Sequence, residues 1–126
     1  MILDASAVLA FLFRETGQDR VTEALLADPR MSTINLAEVV AKYVQRGAIA
    51  EARRLRDELP VTFVPVDEDL AVQAALMLTA TKRHGLSLAG RICLALGRRT
   101  GLPVLTADRA WREVAGPLGV TVEVIR

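Results

Sequence analysis

A three-layer α/β/α sandwich around a mostly parallel sheet is the architecture expected of these 126 residues. Short apolar runs recur along the chain, and segments of helical periodicity separate them. Hydrophobic residues make up 52% of the sequence and aromatics only 4%, so the core has to be built from Leu, Val, Ile and Ala. Parallel strands need long crossover connections, and helices in those crossovers cover both faces of the sheet. A chain of this length fits one domain over residues 1–126, and no repeat, low-complexity tract or Pro/Gly/Ser-rich linker divides it.

The expected strands are Met1 to Leu3, Met31 to Ile34, Val61 to Val66 and Val104 to Thr106, with Val120 to Val124 as a fifth. Helices fill the intervals. The first runs from Ala5 to Phe13. The second, Asp19 to Ala27, is amphipathic through Val21, Leu25 and Leu26 and stops at Asp28-Pro29. Asn35 caps a helix to Arg46 with Gly47 as its stop, and Ala50 to Leu59 precedes Pro60. Asp67 opens a long helix ending at His84-Gly85. Ser87 caps another that runs through Leu96 toward Arg99, and Gly101-Leu102-Pro103 turns the chain into the fourth strand.

A formal net charge of +1 excludes a protein that grips nucleic acid by bulk electrostatics, so any such contact must be local. No apolar run approaches the roughly 20 residues needed to cross a bilayer. Met1-Ile2-Leu3-Asp4 lacks the basic and apolar regions of a signal peptide, so a cytoplasmic protein is expected. The sole cysteine, Cys93, lies in an apolar run and reads as a buried structural thiol. So high an apolar fraction in a short chain implies hydrophobic surface left for a partner.

In open parallel sheets the ligand site lies beyond the carboxyl ends of the strands. Three acids stand there: Asp4 after the first strand, Glu38 in the first helical turn after the second, and Asp108 after the fourth. Each has a structural reading as well. Asp4 suits an N-cap, Asn35 with Glu38 suits a capping box, and Asp108 suits a cap for the helix containing Trp111. Taken together, three carboxylates on one rim repel unless a cation lies between them. Hard oxygen donors without Cys or His point to Mg²⁺ or Mn²⁺, and such an ion commonly serves phosphodiester hydrolysis. Ser6 is placed to offer its hydroxyl to a metal-bound water or a phosphate.

The ordered set Met1-Ile2-Leu3-Asp4-Ala5-Ser6, Ser32-Thr33-Ile34-Asn35-Leu36-Ala37-Glu38, Gly85-Leu86-Ser87-Leu88-Ala89 and Leu105-Thr106-Ala107-Asp108 resembles a PIN domain, and more narrowly the VapC-type toxins of bacterial toxin–antitoxin pairs. The likeness spans essentially the whole chain. It implies a Mg²⁺- or Mn²⁺-dependent endoribonuclease that cuts structured RNA such as tRNA or ribosomal RNA. It also implies a cognate VapB-like antitoxin, laid on the toxin through an apolar helical segment, and a toxin homodimer. Asp4, Glu38 and Asp108 then match the first, second and last acids of the family site, as metal ligands and catalytic residues.

The family's third acid directly follows the Ser-Leu-Ala stretch, where this chain carries Gly90. Glycine is odd there on physical grounds too, since the first turn of a helix favours an acid and Gly costs about 1 kcal/mol relative to Ala. A weakened nuclease is therefore expected, and a catalytically inactive PIN-like module that binds antitoxin or RNA is the alternative. An aspartyl phosphotransfer protein ranks below both, because Ser6 stands where a second Asp would be needed and no Lys closes a later strand. His84 reads as a helix-end cation. Arg91, Arg98 and Arg99 on one helix, and Arg109 and Arg112 beside Trp111, are placed for phosphate contact near the cleft but read first as solvated charge. Arg53, Arg54 and Arg56 read as an ordinary mixed-charge helix face.

Overall fold

The computed structural model describes residues 1–126. Five strands form its sheet: β1 (Ile2–Leu3), β2 (Arg30–Ser32), β3 (Thr62–Val64), β4 (Val104–Thr106) and β5 (Val122–Val124). The helices are α1 (Ala5–Leu12), α2 (Gln18–Leu25), α3 (Thr33–Gln45), α4 (Ile49–Glu58), α5 (Glu68–Leu76), α6 (Leu78–Thr81), α7 (Leu88–Thr100) and α8 (Trp111–Leu118).

Every strand pairing is parallel, in the order β3-β2-β1-β4-β5. The chain steps outward from β1 through β2 to β3, then returns to lay β4 on the free side of β1 and β5 beyond it. Crossovers therefore leave the β1–β4 pair in opposite directions. That reversal opens a crevice beyond the carboxyl ends of the two strands. Ile2 pairs with Val104 and Leu3 with Leu105, so whatever follows Leu3 and Leu105 is delivered side by side.

Alternation along these strands builds two cores. Ile2 and Val104 face the layer of α5, α7 and α8, packing with Leu70, Met77, Leu94 and Trp111. Leu3 and Leu105 face the layer of α1 to α4, packing with Val8, Val21, Met31 and Val39. All four strand residues are fully buried, as expected of a parallel sheet covered on both faces.

Two expected elements differ. The second strand ends at Ser32, and the following helix starts at Thr33 with Ser32, not Asn35, as its N-cap. The Ser32 hydroxyl accepts the Asn35 N–H at 3.2 Å and donates to the Asn35 side-chain oxygen at 2.5 Å. Asn35 is fully buried, and its amide nitrogen donates to the Ala89 carbonyl at 3.1 Å, tying α3 to α7. The expected Asn35–Glu38 capping box is thus replaced by a Ser32–Asn35 pair, and Glu38 sits one turn deeper than expected. The helix opened by Asp67 also does not run unbroken. It stops at Leu76, resumes as α6 and tightens into a 3-10 turn over Lys82–His84. The Met77 carbonyl accepts both the Thr81 hydroxyl at 2.8 Å and the Thr81 N–H at 3.1 Å, so the i→i−4 bond is kept across the break. Other boundaries move by one to three residues. β3 is cut to Thr62–Val64, where Pro65 has no N–H to continue the ladder.

Candidate metal and nuclease cleft

Asp4 leaves β1 at the N-cap position of α1, yet its carboxylate caps nothing. Its Oδ2 accepts the Ser6 hydroxyl at 2.5 Å and the Thr106 hydroxyl at 2.9 Å. Those two hydroxyls are fixed in turn by the far strand: Ser6 Oγ accepts the Ala107 N–H at 2.9 Å and Thr106 Oγ1 accepts the Asp108 N–H at 3.1 Å. The web spans the β1–β4 switch point and holds the carboxylate with only 5% of the residue exposed. Burial raises its pKa above the ordinary carboxyl range, against the opposing pull of both hydroxyls.

Glu38 projects from the second turn of α3, a position made available because Ser32 and Asn35 already satisfy the helix start. Partial burial raises its pKa, and the charge of Asp4 raises it further. The two carboxylates therefore sense each other and favour a shared proton or cation. Asp108 is exposed, and its Oδ1 accepts the Ala110 N–H at 3.0 Å, closing a turn just before α8. The N-cap of that helix is Ala110, with no side-chain cap, so the expected Asp108 cap does not form. Gly90 is buried in the first turn of α7, with its N–H donated to the Ser87 hydroxyl at 3.1 Å. A Cβ on it would lie 3.1 Å from Trp111 Cζ2 and 3.5 Å from Ser87 Oγ.

Asp4, Ser6, Glu38, Gly90 and Asp108 all line one cleft of about 260 Å³, together with Lys42, Ser87 and Trp111. The three acids predicted from sequence thus share one hollow. They do not close into a cluster, since no group of three Asp, Glu, His or Cys side chains is placed to hold a metal ion. Asp4 and Glu38 are a different matter. They form an all-oxygen pair, both favouring a neutralised state, and this fits one hard divalent cation. Asp108 stands on the rim, engaged with its own turn, and Gly90 supplies no carboxylate.

Other singled-out residues fall outside the cleft. His84 Nδ1 lies 3.3 Å from Glu113 Oε2. Arg91, Arg98 and Arg99 bond to the Ala74 carbonyl, Gln73 and Asp67, which ties α7 to the α5 layer. Arg109 donates to the Arg126 carbonyl. Cys93 is fully buried, and burial holds its thiol well above its ordinary pKa, with the Asp4 and Glu38 charges adding to that. The sequence assigned no role to Lys42 and Trp111, which line the cleft, or to the buried Thr106, which supports it through Asp4. A hydroxyl residue closing a strand two positions before an acid is the one signal that could have marked Thr106.

The PIN domain family model matches residues 1–117. No individually curated protein matches the sequence. Among solved structures, a toxin–antitoxin complex from Klebsiella pneumoniae is similar at 18% identity and a TM-score of 0.75, covering 99% of this chain and 97% of that one. DNA-bound VapBC from Salmonella typhimurium is similar at 14% identity and 0.74, covering 99% and 97%. VapC20 of Mycobacterium tuberculosis, a sarcin–ricin loop cleaving toxin, is similar at 21% identity and 0.67, covering 82% and 85%. At these identities the structures speak to the fold. The family match over most of the length, on a parallel five-stranded sheet with its acids at the switch point, places the chain in the PIN domain family.

Proposed function

We propose that this chain is the ribonuclease of a type II toxin–antitoxin pair, acting as one PIN unit over residues 1–126, and that Gly90 leaves it impaired. The observation that carries the reading is the gathering of Asp4, Glu38 and Asp108 around a single cleft at the β1–β4 crevice. The substrate is a phosphodiester in structured RNA, of tRNA or ribosomal RNA, and the partner is a VapB-like antitoxin. The toxin–antitoxin complexes among its structural neighbours support that partner. By the same family likeness the toxin is a cytoplasmic homodimer. No helix is long and apolar enough to cross a membrane.

Asp4 and Glu38 would hold Mg²⁺ or Mn²⁺, with Asp108 as an outer ligand. When bound, that ion supplies charge neutralisation at the phosphate and a more acidic water. The chain's own contribution is placement. Ser6 and Thr106 hold the Asp4 carboxylate through its Oδ2 at the wall of the cleft. Glu38, whose pKa burial and the Asp4 charge raise, gains most from a cation placed between the two carboxylates. Trp111, 3% exposed, packs against Gly90 and shields that end of the cleft from solvent.

The missing acid favours a second reading, a catalytically silent PIN module that holds antitoxin or RNA. One experiment separates the two. The chain and Gly90→Asp are incubated with tRNA and ribosomal RNA in Mn²⁺, in Mg²⁺ and in chelator, and the products are mapped at the 5′ ends. Metal-dependent cleavage by Gly90→Asp, at least ten-fold above the parent chain, is expected. Silence of the restored variant across the panel removes the nuclease reading and leaves the binding module.

A further inference from the structure

We propose that Lys42 and Arg46 form a cationic shelf that carries the phosphate backbone of a single RNA strand into the acid cleft. The proposal rests on the ribonuclease reading for its ligand. A second hollow of about 200 Å³ adjoins the acid cleft and shares Ser6, Leu9 and Lys42 with it, so the two form one continuous trough. Glu38, Lys42 and Arg46 are spaced four residues apart and fall on one face of α3 and its C-cap. The trough therefore grades from carboxylate to cation along a single helix.

The two cations are free to bind. Neither makes an ion pair, whereas Arg126, which also lines the second hollow, is tied to Glu15 at 3.3 Å. Arg46 is also held in place. Its guanidinium carbon sits 3.7 Å above the centre of the Phe13 ring, and Phe13 stacks on Tyr43 with ring centres 5.4 Å apart. A guanidinium held over an aromatic face by its carbon leaves N–H groups available for phosphate oxygens.

The charge balance gives the shelf its purpose. Asp4, Glu38 and Asp108 repel a polyanion, and a net charge of +1 supplies no general attraction, so local cations beside the cleft must offset the repulsion. The spacing suits an extended strand, since successive residues four apart on a helix advance about 6 Å, close to the phosphate repeat of single-stranded RNA.

The test is fluorescence anisotropy in chelator, with a labelled single-stranded oligoribonucleotide of about 12 nucleotides and KCl varied from about 20 to 200 mM. The double variant Lys42→Gln/Arg46→Gln is expected to bind at least ten-fold more weakly at low salt, with the slope of log Kd on log salt reduced by about 1.4, two phosphate contacts at about 0.7 each. Arg53→Gln/Arg54→Gln on α4 is expected to bind like the parent chain. Lys42→Gln alone, at an exposed residue, is expected to lower the slope by about 0.7 and serves if the double variant melts early. The proposal is overturned by an unchanged slope in folded variants, by no RNA binding in the parent chain at the lowest salt, or by an oligoglutamate of equal charge binding in place of RNA. Failure here is separable from failure of the nuclease reading: Gly90→Asp that cleaves RNA with a KM unaffected by the shelf substitutions refutes the shelf alone. Shelf-dependent binding beside an inert Gly90→Asp refutes the nuclease alone.

Discussion

Replacing Asp4 by Asn is expected to make the metal-free protein more stable at neutral pH. The Asp4 carboxylate is 5% exposed, and removing such an ion from water costs several kcal/mol. Hydroxyl bonds from Ser6 and Thr106 return about 1.5–3 kcal/mol each. The raised pKa says that burial wins. Asn keeps an amide oxygen that accepts both hydroxyls and carries no charge, so a net gain of about 1 kcal/mol is expected, or roughly 3–6 °C in Tm for a domain of this size. The pH dependence has a definite sign. A carboxyl whose folded pKa exceeds its unfolded value binds more protons when folded, so its contribution to stability is complete below the unfolded value and is lost as pH rises through the folded one. Glu38 acts in the same direction, first through its burial and then through the Asp4 charge. Thermal melts in chelator should therefore show the parent chain losing stability as pH climbs from the ordinary carboxyl range, with Asp4→Asn flattening that loss. Added Mn²⁺ at 100 times its Kd should raise the parent by about 2.7 kcal/mol and leave Asp4→Asn unmoved. A variant that melts well below the parent in chelator, with the same pH profile, would refute the reasoning.

Gly90→Ala is expected to stay within about 1 kcal/mol of the parent, because the helix-propensity gain offsets the small displacement of the Trp111 ring that its Cβ demands. Gly90→Asp adds a third carboxylate beside Asp4 and Glu38, so in chelator at pH 8 it should melt below Gly90→Ala, and Mn²⁺ should close that gap. Gly97→Ala should cost about 1–3 kcal/mol in urea unfolding, since its Cβ would overlap the Val104 side chain where α7 crosses β4. Thr106→Val removes a donor to Asp4 and the acceptor of the Asp108 N–H. In a Gly90→Asp background it should shift the acid limb of the cleavage–pH profile upward, because Asp4 then ionises less readily.

The layers and the sheet were legible because the strands are short apolar runs whose neighbours alternate between two cores, as Ile2 and Leu3 do. Asp4, Glu38 and Asp108 were legible as a rim set because each follows a strand end, and topology alone brings such positions together. Local chemistry was harder to read. Asn35 looked like a cap and proved to be a buried tie between α3 and α7, because Ser32 stands three residues earlier and competes for the same role. That shift is what releases Glu38 from the helix start. Thr106 escaped notice because its partner, Asp4, lies 102 residues away in sequence. Lys42 escaped because a single exposed cation carries no pattern until the cleft is seen. The break after Leu76 had no marker at all, since no Gly or Pro stands between Glu68 and His84.

The most direct measurement is a Mn²⁺ titration followed by electron paramagnetic resonance, on the parent chain, Gly90→Asp and Asp4→Asn. With Asp4 and Glu38 as the cation's anchors and Gly90 as the gap among its ligands, Gly90→Asp should bind at least about ten-fold more tightly than the parent, and Asp4→Asn should lose the site. Equal, weak affinity in all three proteins would contradict a cation held at this cleft.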